Sequence, residues 1–299
     1  MNLIKRYKVS DYNIGFLHIS ANNLIDQRKI GNIHWMQHSY RDRMFADPHL
    51  LNIENNIAEV LVEELEFLGP KAYLSKLSVS LNDFHLLSKQ IIWKNNTHFS
   101  YPHIIRDRER IFILPENFES GKLNIYEYDK KTSLLKLVKC VINEPLIDAN
   151  IIRAKNKYWL FASKKENSQS ELYLWQSNDI FGPYLPDGGI KIKNGRRGSR
   201  MGGDIFEVQG KLYRVSQDCS VSYGYGLNIQ CIEQLELSDY TETEILSIYP
   251  DTNSLYPDGI HTMTFHKDWC VVDGRYNRPD FFRGLIRRIG EKSGLYRFD

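Results

Sequence analysis

The segment Phe45-Ala46-Asp47-Pro48-His49-Leu50-Leu51 sets an acid and a proline directly before an apolar run. A second apolar run follows after a short polar stretch and ends in the acids Glu63 and Glu64. Two apolar runs joined by a polar turn are typical of a β-hairpin. The same outline returns four times, at intervals of about 50 residues. The later copies begin at Tyr101, Asp148, Gly202 and Gly259.

Further strand-like runs complete the units. Residues 122–128, 171–175 and 227–232 contain the apolar and polar alternation of a β-strand. Repeats of roughly 45–55 residues with about four strands each are typical of propeller blades. The sequence therefore predicts an all-β fold, a five-bladed β-propeller with about four antiparallel strands per blade.

The repeats also predict the domain organisation. We expect a single domain over residues 1–299, in which the N-terminal segment 1–33 closes the ring against the last blade. The predicted blades lie near residues 34–90, 97–142, 145–192, 199–248 and 256–299. No strong helical pattern is present, and residues 53–66, which could imitate a helix, share the register of the other strand repeats. A pair of β-sandwiches is the alternative, which the repeat register disfavours.

The composition excludes several classes of function. The chain is 42% hydrophobic and 25% charged, as in globular proteins, and its net charge of +2 gives no reason to expect nucleic acid or membrane binding. No apolar run approaches the roughly 18 residues of a membrane helix, and residues 1–6 do not begin a signal peptide. The four cysteines form no CxxC pair. We expect Cys140 and Cys270 to be buried thiols, which favours a reducing, cytoplasmic location.

Superposing the five repeats gives three columns of unusually polar residues around the predicted central channel. The first column is Asp47, Tyr101, Asp148, Gly202 and Gly259; the second is His49, His103, Asn150, Asp204 and His261; the third is Glu64, Glu116, Ser163, Gln217 and Asp273. Two carboxylates in matched register, Asp47 and Asp148, suit glycosyl chemistry as nucleophile, base or stabiliser of positive charge. The three histidines could bind zinc, but hydrogen bonds to sugar hydroxyls are favoured.

Two of these motifs, Ala46-Asp47-Pro48 and Ile147-Asp148-Ala149-Asn150, resemble the five-bladed glycoside hydrolases of family 43 and its furanosidase relatives. The resemblance implies that Asp47 is the general base or nucleophile and that Asp148 orients and tunes the acid. The family's general acid, a glutamate on the fourth blade, falls at Met201 here and is therefore missing.

An arginine-rich loop stands where that acid would be. Residues 194–203 contain Arg196, Arg197 and Arg200 among glycines, which allow close backbone approach. Arginine binds phosphate in bidentate fashion, and a phosphate leaving group needs charge stabilisation more than a proton. The loop therefore favours a glycosyltransferase, in which the three arginines hold the donor phosphate. A flexible surface loop with solvated arginines is the alternative.

A closer resemblance covers most of the chain. The motifs 45–48, 100–102, 115–116, 148–149, 200–203, 216–219 with 223–224, and 259–262 are similar to the N-terminal propeller domain of plant glucosamine inositolphosphorylceramide transferases and to bacterial surface-polysaccharide proteins. In the plant proteins a separate domain looks like the transferase. The resemblance is therefore informative for the fold and weak for a particular reaction.

The sequence thus predicts a glycosyltransferase of bacterial capsule or lipopolysaccharide assembly, with a nucleotide- or phosphate-activated donor, a glycan acceptor, and no cofactor or metal. The furanosidase resemblance suggests a furanose donor. The alternatives are a glycoside hydrolase with Glu116 or Asp218 as a relocated acid, and a non-catalytic glycan-binding propeller. The predicted catalytic residues are Asp47, Asp148, Glu116 and Asp218. The predicted substrate-binding residues are His49, Glu64, Tyr101, His103, Asn150, Arg196, Arg197, Arg200, Asp204, Gln217, Tyr223, His261 and Asp273.

Overall fold

The structure is a computed structural model that describes residues 8–293. Residues 1–7 and 294–299 lie outside the described part. The start of the predicted N-terminal segment 1–33 and the end of the predicted fifth blade 256–299 therefore lie outside it too.

The described residues form twenty strands and two α-helices, so the fold is all-β as the repeats predict. The strands are β1 (Lys8–Leu17), β2 (His34–Trp35), β3 (Arg43–Glu54), β4 (Ile57–Glu66), β5 (Tyr73–Ser80), β6 (Leu86–Trp93), β7 (Ser100–Asp107), β8 (Arg110–Glu116), β9 (Leu123–Asp129), β10 (Leu134–Ile142), β11 (Leu146–Ala154), β12 (Lys157–Lys164), β13 (Glu171–Ser177), β14 (Leu185–Asn194), β15 (Arg197–Val208), β16 (Lys211–Asp218), β17 (Gly226–Leu235), β18 (Tyr240–Ile248), β19 (Met263–His266) and β20 (Trp269–Pro279). The helices are α1 (Ala21–Gln27) and α2 (Phe281–Ser293).

The strands are arranged as in a propeller. Strands β3–β6, β7–β10 and β11–β14 form three four-stranded antiparallel sheets, each in chain order. The remaining strands form one eight-stranded sheet in the order β18-β17-β16-β15-β19-β20-β1-β2. Its two antiparallel halves are joined by a single parallel pair, Gly203 with Met263. The N-terminal strand β1 pairs antiparallel with β20, from Lys8 opposite Pro279 to Leu17 opposite Cys270.

Tight turns connect the first two strands of the units. Asn55 and Asn56, between β3 and β4, both have positive φ angles, 50° and 59°. Lys155 and Asn156, between β11 and β12, have φ angles of 51° and 58°. Two successive left-handed residues form the turn whose twist matches that of the flanking strands, and asparagine tolerates this conformation well.

The inner strands share an irregularity that positions the site. The pairing register slips between Ala46 and His49 in β3, and the same slip occurs in β7 and β11. At each slip one residue is left-handed although it is not glycine: Asp47 has a φ of 49°, Tyr101 of 44° and Asp148 of 48°. A bulge turns side chains away from the regular alternation. The first predicted column is therefore, in three of its five members, a set of bulge residues.

The core lies between neighbouring sheets. Phe112, Leu160 and Trp175, for example, pack together from β8, β12 and β13 and are almost fully buried. Cys270 is buried, but the prediction for Cys140 is wrong, since its side chain is exposed. Cys140 belongs to β10, which lies at the edge of its sheet and is exposed along most of its length.

Two helices depart from the all-strand prediction. Helix α1 is capped by Ser20, whose hydroxyl accepts a hydrogen bond from the amide of Asn23. Helix α2 follows Asp280, whose carboxylate accepts one from the amide of Arg283. Glycines at 284 and 290 weaken the helical signal of α2 in the sequence. Across the described range 8–293, no helix has the length and apolar character needed to cross a membrane.

Candidate functional site

An acidic cavity of about 430 Å³ lies at the end of the channel where the inner strands begin. Four carboxylates line it, those of Asp47, Glu63, Glu116 and Asp148. Six of the predicted site residues lie on its wall: Asp47, Glu116, Asp148, Arg200, Tyr223 and His261. The cavity is therefore where the predicted acids and their neighbours meet.

Asp47 is held by several donors. Its carboxylate accepts hydrogen bonds from the Thr262 hydroxyl at 2.8 Å and from the Tyr101 amide at 3.1 Å. Nε2 of His261 lies 3.4 Å away. Burial raises the pKa of Asp47 to about 7, although the nearby His261 lowers it. A carboxylate with such a pKa suits a general base at neutral pH.

A second acid, Asp273, binds the ring nitrogen of His261 that does not face Asp47. Nδ1 of His261 lies 2.6 Å from Oδ2 of Asp273, and the other Asp273 oxygen accepts hydrogen bonds from the amides of His261 and Thr262. Burial lowers the pKa of His261, but the charges of Asp273 and Asp47 outweigh this and raise it to about 9. Asp273 also accepts a hydrogen bond from the amide of Asp47. It is fully buried, so it positions its neighbours and does not line the cavity.

Arg200 is bound to the other carboxylates. Its Nε donates to Asp148 Oδ2 at 2.6 Å, and its Nη2 lies 4.0 Å from Glu116. Glu116 also accepts a hydrogen bond from the Asp148 amide at 3.3 Å. Burial and the negative charge of Asp148 raise the pKa of Glu116 well above its usual range. Burial thus favours the protonated form of Glu116, which lies beside the ionic Arg200–Asp148 pair.

Aromatic rings line one wall of the cavity. The ring of Tyr223 lies 4.9 Å from the Arg200 guanidinium and 5.5 Å from the imidazole of His261. The ring of Tyr12 lies 5.0 Å from the same imidazole. Tyr223 lies in the segment between β16 and β17, whereas Tyr12 comes from the N-terminal strand β1. The faces of these two tyrosine rings can stack against the ring of a bound ligand.

Several predicted residues lie away from the cavity. Glu64 is fully buried and forms ion pairs with Arg43 and Lys89 within its own sheet. Asp218 binds Arg197 at 2.7 Å, and hydrogen bonds from Ser220 together with that charge lower its pKa despite burial. Asp218 is therefore an ionised structural residue, which corrects its prediction as a relocated acid.

The arginine loop prediction also needs correction. Residues from Arg197 onward belong to strand β15, so most of the segment is not a flexible loop. Arg197 pairs with Glu244 as well as with Asp218, and Arg196 donates to the carbonyl of Cys219. Neither Arg196 nor Arg197 lines the acidic cavity.

Six predicted residues lie deeper in the structure. Tyr101 is fully buried, and its hydroxyl contacts Asn150 and the backbone of Gly203. His49, His103 and Asn150 follow the bulges on their strands, and Asp204 lies within the irregular part of β15; none of the four lines the acidic cavity. Gln217 is also buried, where it donates to the carbonyl of Met201 and lies 3.3 Å from Asp148.

The sequence analysis missed other residues of the cavity. Glu63, Lys165, Arg275 and Arg283 line it, as does His98, whose Nε2 lies 3.3 Å from Glu63. Glu63 was detectable, since it adjoins the predicted Glu64. The others come from segments outside the repeat columns, so no pattern in the sequence indicates them.

Among residues 8–293, two groups of side chains offer ligand atoms close enough together for a metal ion. Asp47, His261 and Asp273 form one, and His49, His103 and Asp204 form the other. In the first group the side chains contact one another and nearby amide and hydroxyl donors. The first group is therefore best described as a hydrogen-bonded relay.

The fold is of the class of β-propellers found in solved structures of glycoside hydrolases. A putative glycoside hydrolase from Bacteroides ovatus superposes with a TM-score of 0.57 at 11% identity, covering 81% of this chain and 89% of that chain. A family 117 glycoside hydrolase from Zobellia galactanivorans gives a TM-score of 0.52 at 10% identity, covering 80% and 88%. At these identities the likeness shows the fold alone.

Within that class, the chain belongs to the family described as glucosamine inositolphosphorylceramide transferase 1, N-terminal, which matches residues 82–254. The glucosamine inositolphosphorylceramide transferase 1 of Arabidopsis thaliana is 35% identical over 156 residues, covering 50% of this chain and 20% of that protein. The protein of the same name from Oryza sativa subsp. japonica is 32% identical over 154 residues, covering 50% and 21%. The matched region thus spans about a fifth of each of these relatives.

Proposed function

We propose that this chain is a glycosyltransferase that binds a nucleotide- or phosphate-activated sugar in the acidic cavity. The observation that carries the proposal is the convergence of Asp47, Glu116, Asp148 and Arg200 on one cavity of about 430 Å³. The relatives with 32–35% identity are named as transferases, which supports the same reaction class. They extend far beyond the matched part, so their activity is support by analogy.

Asp47 is the proposed general base. Its oxygens face His261 and Thr262, and a pKa of about 7 leaves it partly ionised at neutral pH. In the proposed step the acceptor hydroxyl oxygen forms a bond to the anomeric carbon and gives its proton to Asp47. The bond from that carbon to the phosphate oxygen breaks, and the phosphate leaves with the electron pair. Asp148 lies beside the developing positive charge of the sugar.

The donor phosphate needs a cation that is not already neutralised. Arg200 is paired with Asp148, which argues against the phosphate role that the sequence analysis gave it. Lys165 lines the cavity, where its ammonium group lies over the ring of Phe118; no ion pair holds it within residues 8–293. Arg275 donates to the carbonyls of Tyr223 and Asp258, and Arg283 lies beside Asp11 and Asp280. We therefore assign the phosphate to Lys165, with Arg200 organising the acids.

A glycoside hydrolase is the second candidate, and one observation favours it. Glu116 lies in the cavity, and burial raises its pKa well above its usual range, which favours the protonated form that a hydrolase needs to protonate its leaving group. Asp218 is ionised and bound to Arg197, so it does not compete for this role.

The finer points of the proposal rest on the repeats. We count the eight-stranded sheet as two blades because its halves share a single parallel pair, which gives five blades in all. Surface-polysaccharide assembly, a glycan acceptor, a furanose donor and a cytoplasmic location remain proposals drawn from the sequence.

The test is a thermal-stability screen with nucleotide sugars and with the bare nucleotides. We expect one donor to raise the melting temperature of the wild type, and Lys165→Ala to abolish the rise. Lys139→Ala, which replaces an exposed lysine on the edge strand β10, is the matched control and keeps it. An unchanged melting temperature with all nucleotides and nucleotide sugars would reject the transferase. Hydrolysis of aryl furanosides that is lost in Glu116→Gln would establish the hydrolase instead.

A further inference from the structure

The second group of potential ligands lies below the bulges of the inner strands. His49, His103 and Asn150 are the first residues to pair again after the slips in β3, β7 and β11. Asp204 lies within the corresponding irregular part of β15. His261, which the sequence analysis placed in this column, instead precedes β19 and faces Asp47. One level of the channel therefore carries two imidazoles, an amide and a carboxylate.

The hydrogen bonds of the two imidazoles fix their tautomers. Nδ1 of His49 lies 3.2 Å from the carbonyl oxygen of Asp47, and Nε2 of His103 lies 3.2 Å from that of Ile151. A carbonyl only accepts, so each of these nitrogens carries the hydrogen. A neutral imidazole carries a single hydrogen on its two ring nitrogens. The second nitrogen of each ring therefore carries a free lone pair.

These two lone pairs are hydrogen-bond acceptors in a buried environment. Within the described part of the chain, neither Nε2 of His49 nor Nδ1 of His103 has a hydrogen-bond partner, and Oδ1 of Asn150 has none either. The two histidines are at most 5% exposed. Since buried polar atoms are rarely left without a partner, three acceptors at one level of a channel point to a cation or a donor.

The geometry points to a cation. One ligand atom each from His49, His103 and Asp204 can be chosen so that all three lie within 4.8 Å of one another. Small side-chain rotations can bring the three ligand atoms to about 2.0–2.2 Å from one ion, the bond length that zinc has to nitrogen and oxygen ligands. The amide of Phe265 donates to Asp204 Oδ2 at 2.9 Å, so all three ligands have the outer-shell hydrogen bonds that orient metal ligands.

We propose that His49, His103 and Asp204 form a binding site for a single divalent transition-metal ion, for which zinc is the best fit. Two imidazoles and one carboxylate suit zinc-class ions, whereas calcium and magnesium prefer an all-oxygen set. The ion enters through a second cavity of about 550 Å³, which His103 and Asp204 help to line at the opposite end of the inner strands. Arg106 lines that cavity too, and its positive charge opposes the ion.

The site is structural and supports the acidic cavity. His49 is anchored to the carbonyl of Asp47, the left-handed residue whose carboxylate faces that cavity. A metal bound at Nε2 strengthens the hydrogen bond at Nδ1, because it increases the positive charge on the ring. The ion therefore fixes the bulge that aims Asp47. This role holds whichever reaction the acidic cavity performs.

The experiment measures metal content, affinity and stability of the full chain. Protein purified without a metal-binding tag is expected to retain about one equivalent of zinc. After chelation, added zinc is expected to bind with the same stoichiometry and to raise the melting temperature. Cobalt is expected to give the absorption bands of a nitrogen-ligated ion. His49→Gln and His103→Gln should each weaken zinc binding by at least about 100-fold, beyond the loss for an outer-shell partner.

His85→Gln is the matched control, because His85 is a surface histidine that contacts Asp83 and should not change zinc binding. Circular dichroism shows whether each variant folds, and Asp204→Asn provides a third variant. Three results overturn the proposal: no zinc binding and no stabilisation of the wild type, which would mean an ordered water only; binding that survives the ligand substitutions; or calcium binding as tight as zinc.

Discussion

At the scale of single residues, the site depends on backbone conformations that side chains rarely adopt. Asp47, Tyr101 and Asp148 are all left-handed, at the same point of three neighbouring inner strands. Such residues cost of order 1–3 kcal/mol each and persist where the surroundings enforce them. Here hydrogen bonds between units do so: the Tyr101 amide donates to Asp47, and the Asp148 amide donates to Glu116. The repeated bulge is thus what brings acids of different strands to one cavity.

The proposed role of Asp47 gives a prediction about pH. A base must be ionised, and the pKa of Asp47 is about 7, so transferase kcat/KM should rise with pH through about 7 and approach tenfold loss per pH unit below it. Asp47→Asn should lower kcat by about 10²–10⁴-fold. Asp218→Asn is the control acid and should keep this profile. A bell-shaped pH profile that loses its descending limb in Glu116→Gln would contradict a mechanism in which phosphate is the leaving group. It would favour hydrolysis.

Glu116 gives a prediction about stability. Its folded-state pKa lies well above the ordinary value of 4.5 because of burial and Asp148. Its protonated form therefore stabilises the fold at low pH, and this stabilisation is lost as pH rises toward the folded-state pKa. A tenfold difference between the folded-state and unfolded-state acidities corresponds to about 1.4 kcal/mol. Glu116→Gln keeps an acceptor for the Asp148 amide and cannot ionise, so its stability relative to the wild type should increase steadily as the pH rises above the ordinary glutamate pKa of 4.5.

Urea unfolding of both proteins across that pH range measures this difference. Glu127→Gln is a suitable control, because Glu127 lies on the surface with Arg110. A constant difference between Glu116→Gln and the wild type at all pH values would show that Glu116 ionises normally in the folded protein.

The acids Asp47, Asp148 and Glu116 could be predicted because they recur in register with the repeats. The contacts of Arg200 could not, since a glycine-rich segment gives no strand pattern. Glu64 was predicted in place of Glu63, whereas the strand pairing sets Glu63 opposite Ala46, just as it sets Glu116 opposite Ser100. Adjacent residues of a strand point to opposite faces, so an error of one residue exchanges a side chain of the cavity for one buried within the sheet.

At the scale of strands and helices, the units were predictable from hairpins and alternation, whereas the helices were not. Helix α1 is short, and α2 carries two glycines. The pairing of β1 with β20 agrees with the expectation that the N-terminal segment closes the ring against the last blade, but nothing local in the sequence specifies its register. Tyr12 reaches the acidic cavity through this pairing, which explains why only the structure identifies it.

Gly203 gives a prediction at the junction of two sheet halves. A Cβ there would lie 1.8 Å from the Met263 carbonyl oxygen, and its φ of 141° is unfavourable for other residues. Gly203→Ala should therefore destabilise the protein by at least ~3 kcal/mol, the range in which overpacking and backbone strain act together. Gly210→Ala, in the hairpin of the same strand, has a φ of 77° but open space around its Cβ.

Comparison of the two variants separates conformation from close packing. Gly210→Ala should cost only about 1–2 kcal/mol, the cost of a left-handed residue. Urea unfolding gives both values. Equal losses in the two variants would mean that the approach of Gly203 to Met263 does not limit the fold.

At the scale of the whole molecule, the first and the last strand of the described chain pair in one sheet. Strand β1 pairs with β20 along its full length, and Ser10 lies opposite Asn277, whose side-chain oxygen accepts a hydrogen bond from the Ser10 hydroxyl at 2.8 Å. The unfolded chain must close a very long loop to make this contact. Since loop-closure entropy grows with loop length, a covalent link here should remove a large part of the freedom of the unfolded chain.

The corresponding variant is Ser10→Cys with Asn277→Cys, in a Cys140→Ser background because Cys140 is the exposed native thiol. Under oxidising conditions it should be about 2–4 kcal/mol more stable than the same protein with a reducing agent. Ser10→Cys alone in that background is the control and should not respond to the reductant. A crosslink that forms without stabilising the protein would mean that β1 separates from β20 before the rest of the propeller unfolds. In that case Tyr12, and with it one wall of the acidic cavity, would be lost ahead of the global transition.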